Sequence, residues 1–494
     1  MKNNSSLLIM TKRKIITIFV ISFVLIMLFL VSSQIHIFEK NNMNTSAYSV
    51  TKNPSPYVNE YNLPVDSLPN GIISDKNGFI WIVGSNSNLY KFDPMVNKID
   101  SVYFIGDKDT KPKGSIMGWA IIQDNDGMIW LSQSDSTPLW QFDPINEKFT
   151  SYLTSAAPFQ MKLDENNGNI WFTTLGGNTV GIIQKIKLPN LKIDYKITEF
   201  KVGDNSFPSG LYLENNNVWI AEVVGNNLIR FKIINDNDII SIEKTFDISN
   251  ESKINVHSPT DVFVADNKIW FTEHGTSTIS QYDLDTNHVK QFPTSASLFN
   301  ATTLPFWLKE SHNGGLWINE HTGNKIAFFN TTNLTLLEYD IPSRPLDGMI
   351  IYPLGLAVTL DNVWFSEWNV DKIGVINRDI SIPFDISTNT HQIIIPKNTD
   401  GKPSTIDFTI HKNQDISSET PIFFVVSSSM EPSLRLVNMT ARFSEGTILP
   451  SKIMDSKIQL SLDSNFAPIG NYTLAISATD GNVTKSIFVD MMIN

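Results

Sequence analysis

Four glutamates, Glu222, Glu273, Glu320 and Glu367, each follow a tryptophan by three residues, and His274 and His321 directly follow two of them. Carboxylates and imidazoles at a shared position are the groups that hold a divalent cation such as Mg²⁺ or Mn²⁺, and that move protons. Glu320, His321 and Glu367 are therefore the expected metal ligands and catalytic groups. Glu222 and Glu273 are expected to accept hydrogen bonds from backbone N–H groups of neighbouring loops, because a structural role repeats where a catalytic one need not. No P-loop, GxSxG or HExxH motif accompanies them, and the chain has no cysteine. That excludes disulfides, thiolate metal sites, thiol nucleophiles and a lipobox-type anchor.

The elements that carry these residues follow from the tryptophans. Trp81, Trp130, Trp171, Trp219, Trp270, Trp317 and Trp364 are separated by 49, 41, 48, 51, 47 and 47 residues. A period near 45 with four strand-like runs per unit predicts a β-propeller. In the fourth unit, "SGLYLE", "VWIAEV", "NNLIRFK" and "IEKTFDI" read as strands A to D, and turn sequences such as "DKNG" and "DNDG" recur between A and B. The run "VNEYNLP" at 58–64 resembles "LLEYDIP" at 336–342, so it is expected to supply strand D of the last blade and close the ring. Because A and B form a hairpin, the start of A and the end of B share one rim. That rim receives the four glutamates and the strand-A starts Asn70, Trp119, Phe159, Ser209, Thr260, Phe306 and Leu354. Trp119, Phe159, Phe306, Trp368 and His274 are the expected ligand-binding residues, a stacking surface for a small molecule, glycan or peptide.

From about residue 380 the period stops, and short strands such as "STIDFTIH" and "NYTLAISATD" follow without helix signals. They predict an Ig-like β-sandwich, with a spacer or adhesive role. At the other end, the 19 residues 15–33 carry no charge and follow Lys12, Arg13 and Lys14. As a helix they would span about 28 Å, so they are expected to be a transmembrane anchor or, on the rival reading, a cleaved signal peptide. The basic flank places residues 1–14 in the cytoplasm and everything after the span outside. The expected location is the cell membrane, single-pass, with an extracellular C-terminal part, or secretion if the signal is cleaved. A net charge of −12 argues against a nucleic-acid partner. The expected fold class is all-β. A linker covers 34–56, a seven-bladed β-propeller 57–378 and an Ig-like β-sandwich 379–494, the whole a monomer behind one N-terminal transmembrane helix or signal peptide.

The recurring pattern P-x-x-[LI]…W-F-x-E…[ND]-K-I-[GA] is carried by "SPTDVFVADNKIWFTEH", "LPFWLKESHNGGLWINEHTGNKIA" and "YPLGLAVTLDNVWFSEWNVDKIG". It resembles the blade pattern of the streptogramin B lyase (virginiamycin B lyase) family over about two-thirds of the chain. The resemblance implies a carbon–oxygen lyase that opens a cyclic depsipeptide by elimination. A histidine would be its base, and a Mg²⁺ held by glutamates would polarise the ester. The family's histidines directly follow the strand-A prolines of the last two blades. Here Phe306 and Leu354 stand at those positions, and Tyr352 stands where the family has a glutamate before the last proline. The two expectations are therefore a rim that binds a ligand or cation, and a lyase with a rebuilt site.

Overall fold

The computed structural model describes residues 50–51, 55–106, 117–134, 139–189, 193–233, 241–248, 256–296, 302–312, 314–344, 350–397, 402–413, 420–464 and 466–494. The apolar run 15–33 lies outside the described residues. Among the described residues no helix is long and apolar enough to cross a membrane. Their regular elements are β-strands and two 3-10 turns.

Blade five shows how the sequence builds one unit. Pro259–Ala265, Lys268–Glu273, Thr278–Asp283 and His288–Pro293 pair antiparallel in chain order as strands A to D. A and B are joined by two residues, Asp266 and Asn267, both with positive φ. That is the backbone a two-residue hairpin turn requires, and Asp and Asn tolerate it. Six further units repeat the arrangement, and their A strands touch in sequence around an axis. Val58–Asn62 pairs with Lys372–Ile376, so a strand from the start of the ring completes blade seven. No blade edge is left open at the junction.

The tryptophans are buried between blades. Trp81 meets Phe142 of blade two at 5.8 Å, Trp270 meets Phe329 of blade six at 5.4 Å, and Trp364 meets Phe92 of blade one at 5.7 Å. In blades one and two the A–B turn supplies the acceptor that a buried indole N–H needs, whereas those of Trp171 and Trp317 are buried without a partner among the described residues. Trp81 Nε1 donates to Asp75 at 2.8 Å and Trp130 Nε1 to Asp124 at 2.9 Å. The other oxygen of each carboxylate accepts two N–H groups of its own turn. One aspartate thus shapes the "DKNG" or "DNDG" turn and satisfies the buried indole.

The C-terminal part differs from a detached spacer. Phe384–Ser387, Ser404–Lys412, Ser456–Asp463 and Thr440–Phe443 form one sheet of a sandwich. Its partner sheet is continuous with blade six, because Val483–Ile487 pairs antiparallel with Thr335–Tyr339, the blade's outer strand. Phe408 meets Phe424 across the two sheets at 5.4 Å. One apolar cluster runs from Trp317 and Tyr339 of blade six to Leu474, Val489 and Met491. Pairing blade six's free edge explains the fusion, since an unpaired outer strand is a liability.

Candidate functional site

The rim is built from a repeated clamp. In blades four to seven the strand-A proline lies directly opposite the strand-B glutamate, as Pro208↔Glu222, Pro259↔Glu273, Pro305↔Glu320 and Pro353↔Glu367. The residue before each proline has a positive φ: Phe207 51°, Ser258 50°, Leu304 52° and Tyr352 54°. Non-glycine residues there are uncommon and strained, so something must hold them. Two contacts do so. The residue after each glutamate donates its N–H back to that carbonyl, for example His321 to Leu304 at 3.1 Å and Trp368 to Tyr352 at 3.2 Å. The B–C turn of the preceding blade supplies an acceptor as well. Asn226 Oδ1 takes the N–H groups of His257 and Ser258, Asn324 Oδ1 that of Ile351, and Asp371 Oδ1 that of Leu68.

The glutamates divide into two kinds. Glu273 accepts from His257 Nδ1 at 2.7 Å, Thr276 at 2.7 Å and Gln291 at 2.9 Å. Burial raises the Glu222 pKa, opposed by the nearby polar groups of Ser206 and Asn227. Glu320 and Glu367 instead each sit in a buried cluster with a lysine and a second glutamate. Glu320 faces Lys325 across strands B and C, and Glu338 comes from strand D. Lys325 Nζ lies 3.3 Å from Glu338, and Ser295 N–H donates to that carboxylate at 3.0 Å. In blade seven, Glu367 faces Lys372, whose Nζ lies 3.4 Å from Glu60 and 2.6 Å from Ser343. Burial first, then the adjoining carboxylate, pushes Glu320 and Glu367 well above the ordinary carboxylate range. The protonated form of each is therefore favoured beside its neighbour, Glu338 or Glu60. Burial opposes the charge on Lys325, but the Glu338 and Asp340 carboxylates outweigh it and raise its pKa.

This arrangement corrects the expected metal set. Glu320 and Glu367 point into separate clusters in their own blades, and His321 belongs to neither. Among the described residues no three His, Asp or Glu side chains converge to hold a metal ion. A carboxyl that burial and a neighbouring carboxylate push toward its protonated form is also a poor ligand for a hard cation. These residues do not fit a glutamate-held Mg²⁺.

His321 joins a different group. Its ring stacks on Phe306 at 4.3 Å, and His274 lies 5.6 Å from His321 and 5.4 Å from Phe306. Phe306 continues to Trp307 at 4.7 Å, Phe159 at 6.0 Å and Trp119 at 6.1 Å. Four of the five expected ligand-binding residues, Trp119, Phe159, Phe306 and His274, thus meet at the axis. Trp368 does not join them: its Nε1 donates to Ser85 at 3.2 Å and its ring packs on Tyr352. Burial lowers the His274 pKa to about 4. Burial, then repulsion from His274, holds His321 well below 6.5. Both rings are neutral at pH 7, and His321 Nε2 is buried without a hydrogen-bond partner. Asn70, at the equivalent strand-A position of blade one, also buries both amide atoms without partners.

Sequence reasoning missed Lys325, Lys372, Glu338 and Glu60. A signal was present: "NKIA" and "DKIG" place a lysine five residues after each glutamate, and the resembling runs "LLEYDIP" and "VNEYNLP" share their glutamate. The glycine of "DKIG" is steric, since a Cβ at Gly374 would stand 2.1 Å from the Phe365 ring.

The chain matches the virginiamycin B lyase family over residues 104–399, more than half its length. Among curated proteins none matches it. Among solved structures it is similar to a streptogramin B lyase, at 22% identity and a TM-score of 0.51, over 65% of this chain and 97% of that one. It is similar to the same degree to the virginiamycin B lyase of Staphylococcus aureus, with 98% of that chain covered. A catalytically inactive variant of that enzyme, solved with quinupristin, gives the same values. At this identity the structures speak for the fold. With the family match spanning three of the clamped blades in full, this chain belongs to the virginiamycin B lyase family.

Proposed function

We propose that this protein is a ligand-binding propeller displayed outside the cell, and that its rim takes an organic molecule or peptide carrying a flat apolar group. The observation that carries this reading is the convergence of Phe306, His321 and His274 at the head of the axis, with the unpartnered Nε2 of His321 beside a half-buried imidazole. A flat group would stack on the rings, and a ligand polar group would satisfy the buried nitrogen. The imidazoles are weak bases at neutral pH, and burial beside Glu338 and Glu60 pushes Glu320 and Glu367 toward the protonated form. These features support binding over metal-assisted elimination, where a base with a pKa near the working pH is needed. The charge-free run 15–33 after Lys12, Arg13 and Lys14 supports display on the outer face of the membrane.

The test is a thermal-shift screen of aromatic small molecules and aromatic-rich peptides on the full chain, with quinupristin among them. Hits should lose their shift in Phe306→Ala and His321→Ala, and keep it in Glu320→Gln/Glu367→Gln and in EDTA. A screen without hits, or hits indifferent to Phe306 and His321, would count against a rim site. Protease treatment of intact cells should remove the domain; full protection would refute display.

A further inference from the structure

The axis has a second mouth, at the A–B turns. A cavity of about 350 Å³ opens there, within the size range of small-molecule sites. Its inner end is formed by Trp119, Phe159 and Trp307, the reverse side of the aromatic group described above; Phe306, His274 and His321 do not line it. In every blade one strand-A residue pairs with the blade's tryptophan. These are Ile73, Ile122, Lys162, Tyr212, Phe263, Lys309 and Ala357. Five are apolar or aromatic, and Ile73, Phe263 and Ala357 among them pack in the clusters between blades. Two are lysines, and both line the cavity. Among the described residues neither ammonium has an ion-pair or hydrogen-bond partner; Lys309 Nζ lies 5.7 Å from the Trp307 ring. A cation at a position that the other blades fill with apolar or aromatic side chains breaks the local pattern.

We infer that this cavity binds a small aromatic carboxylate, its ring against Trp119, Phe159 and Trp307 and its carboxylate between Lys162 and Lys309. The wall supplies both halves of such a ligand's complement: flat apolar surface at the inner end and two unpaired cations. Burial lowers the Lys309 pKa to about 8, helped by repulsion from Lys162 and opposed by Asp261. An anion between the two lysines relieves that repulsion. Asp75, the other charged group on the wall, is committed to Trp81 and its own turn. As pH rises through about 8, Lys309 loses its charge, so carboxylate binding weakens toward alkaline pH.

The probe is 4-fluorobenzoate, followed by ¹⁹F relaxation on the full chain. It should bind at pH 7 and at least about tenfold more tightly than 4-fluorobenzyl alcohol, which keeps the ring and lacks the charge. Acetate and inorganic phosphate should compete only weakly. Lys162→Met/Lys309→Met should reduce binding at least about tenfold while folding normally, since apolar residues occupy this position in other blades. His274→Leu/His321→Leu, on the opposite side of the aromatic group, should leave 4-fluorobenzoate binding unchanged, so the rim reading and this one fail separately. Equal binding of the alcohol, comparable binding of acetate or phosphate, no binding of the probe, or a lysine double variant within twofold of the unaltered protein would each overturn the inference.

Discussion

At the scale of single residues, protonation separates clamps from ligands. Glu320 holds its proton because it is buried beside Glu338, so its folded pKa lies above the unfolded value. Its stabilising contribution is complete below the ordinary carboxylate range and is lost as pH rises through the folded pKa. Glu320→Gln keeps a neutral donor to Glu338. It should change stability at pH 7 by no more than about 1 kcal/mol and flatten the fall of melting temperature as pH rises above the ordinary carboxylate range. Lys325→Met should instead cost about 3–5 kcal/mol, because it leaves the Glu338 carboxylate buried without its cation. The imidazoles behave oppositely. His274 and His321 are held neutral by burial, so their contribution is present above pH 6.5 and is lost as pH falls toward about 4. His321→Phe preserves a ring on Phe306 and should reduce that acid loss, read as melting temperature against pH. A melting curve for His321→Phe as acid-sensitive as that of the unaltered protein would place the sensitivity elsewhere.

At the scale of elements, the family pattern reads as a code for joining blades. Proline starts strand A, glutamate ends strand B opposite it, Asn or Asp latches the next blade's entry, and lysine balances the buried carboxyls. Asp371 is the latch that closes the ring, accepting from the N–H groups of Asp66 and Leu68 and from Ser67 Oγ. Asp371→Ala should cost about 2–3 kcal/mol by chemical denaturation, since those donors lose their acceptor and alanine is strained at φ 52°. Much of this was legible in the sequence. The tryptophan spacing marked every strand B, and hairpin geometry put proline and glutamate at one rim. Glu320–Lys325–Glu338 was not read, because its members lie on three strands and meet only once register is known. Lys162 and Lys309 were hidden for a related reason: a lysine on a strand reads as exposed until superposed blades show the other five axial residues to be apolar or aromatic. Trp368 stands apart from the other expected ring residues because the 3-10 turn Trp368–Val370 carries its ring toward Tyr352 and Ser85.

At the scale of the whole molecule, ring and sandwich form one body through the pairing of Thr335–Tyr339 with Val483–Ile487. The sequence showed two regions, but a pairing between residues so far apart left no local signal. Ending the chain at residue 378 should expose that edge and half of a shared core, giving aggregation or loss of a cooperative melt; a soluble propeller melting as before would show the sandwich to be dispensable. The same rigidity fixes the axial rings on which the central proposal rests, that the rim binds by stacking and an imidazole rather than opening rings with a metal. The direct measurement is incubation of the full chain with quinupristin and Mg²⁺, followed by reversed-phase chromatography against a sample in EDTA. The account predicts an unchanged ligand peak in both samples. A linear product that accumulates with Mg²⁺ and disappears with EDTA would contradict it.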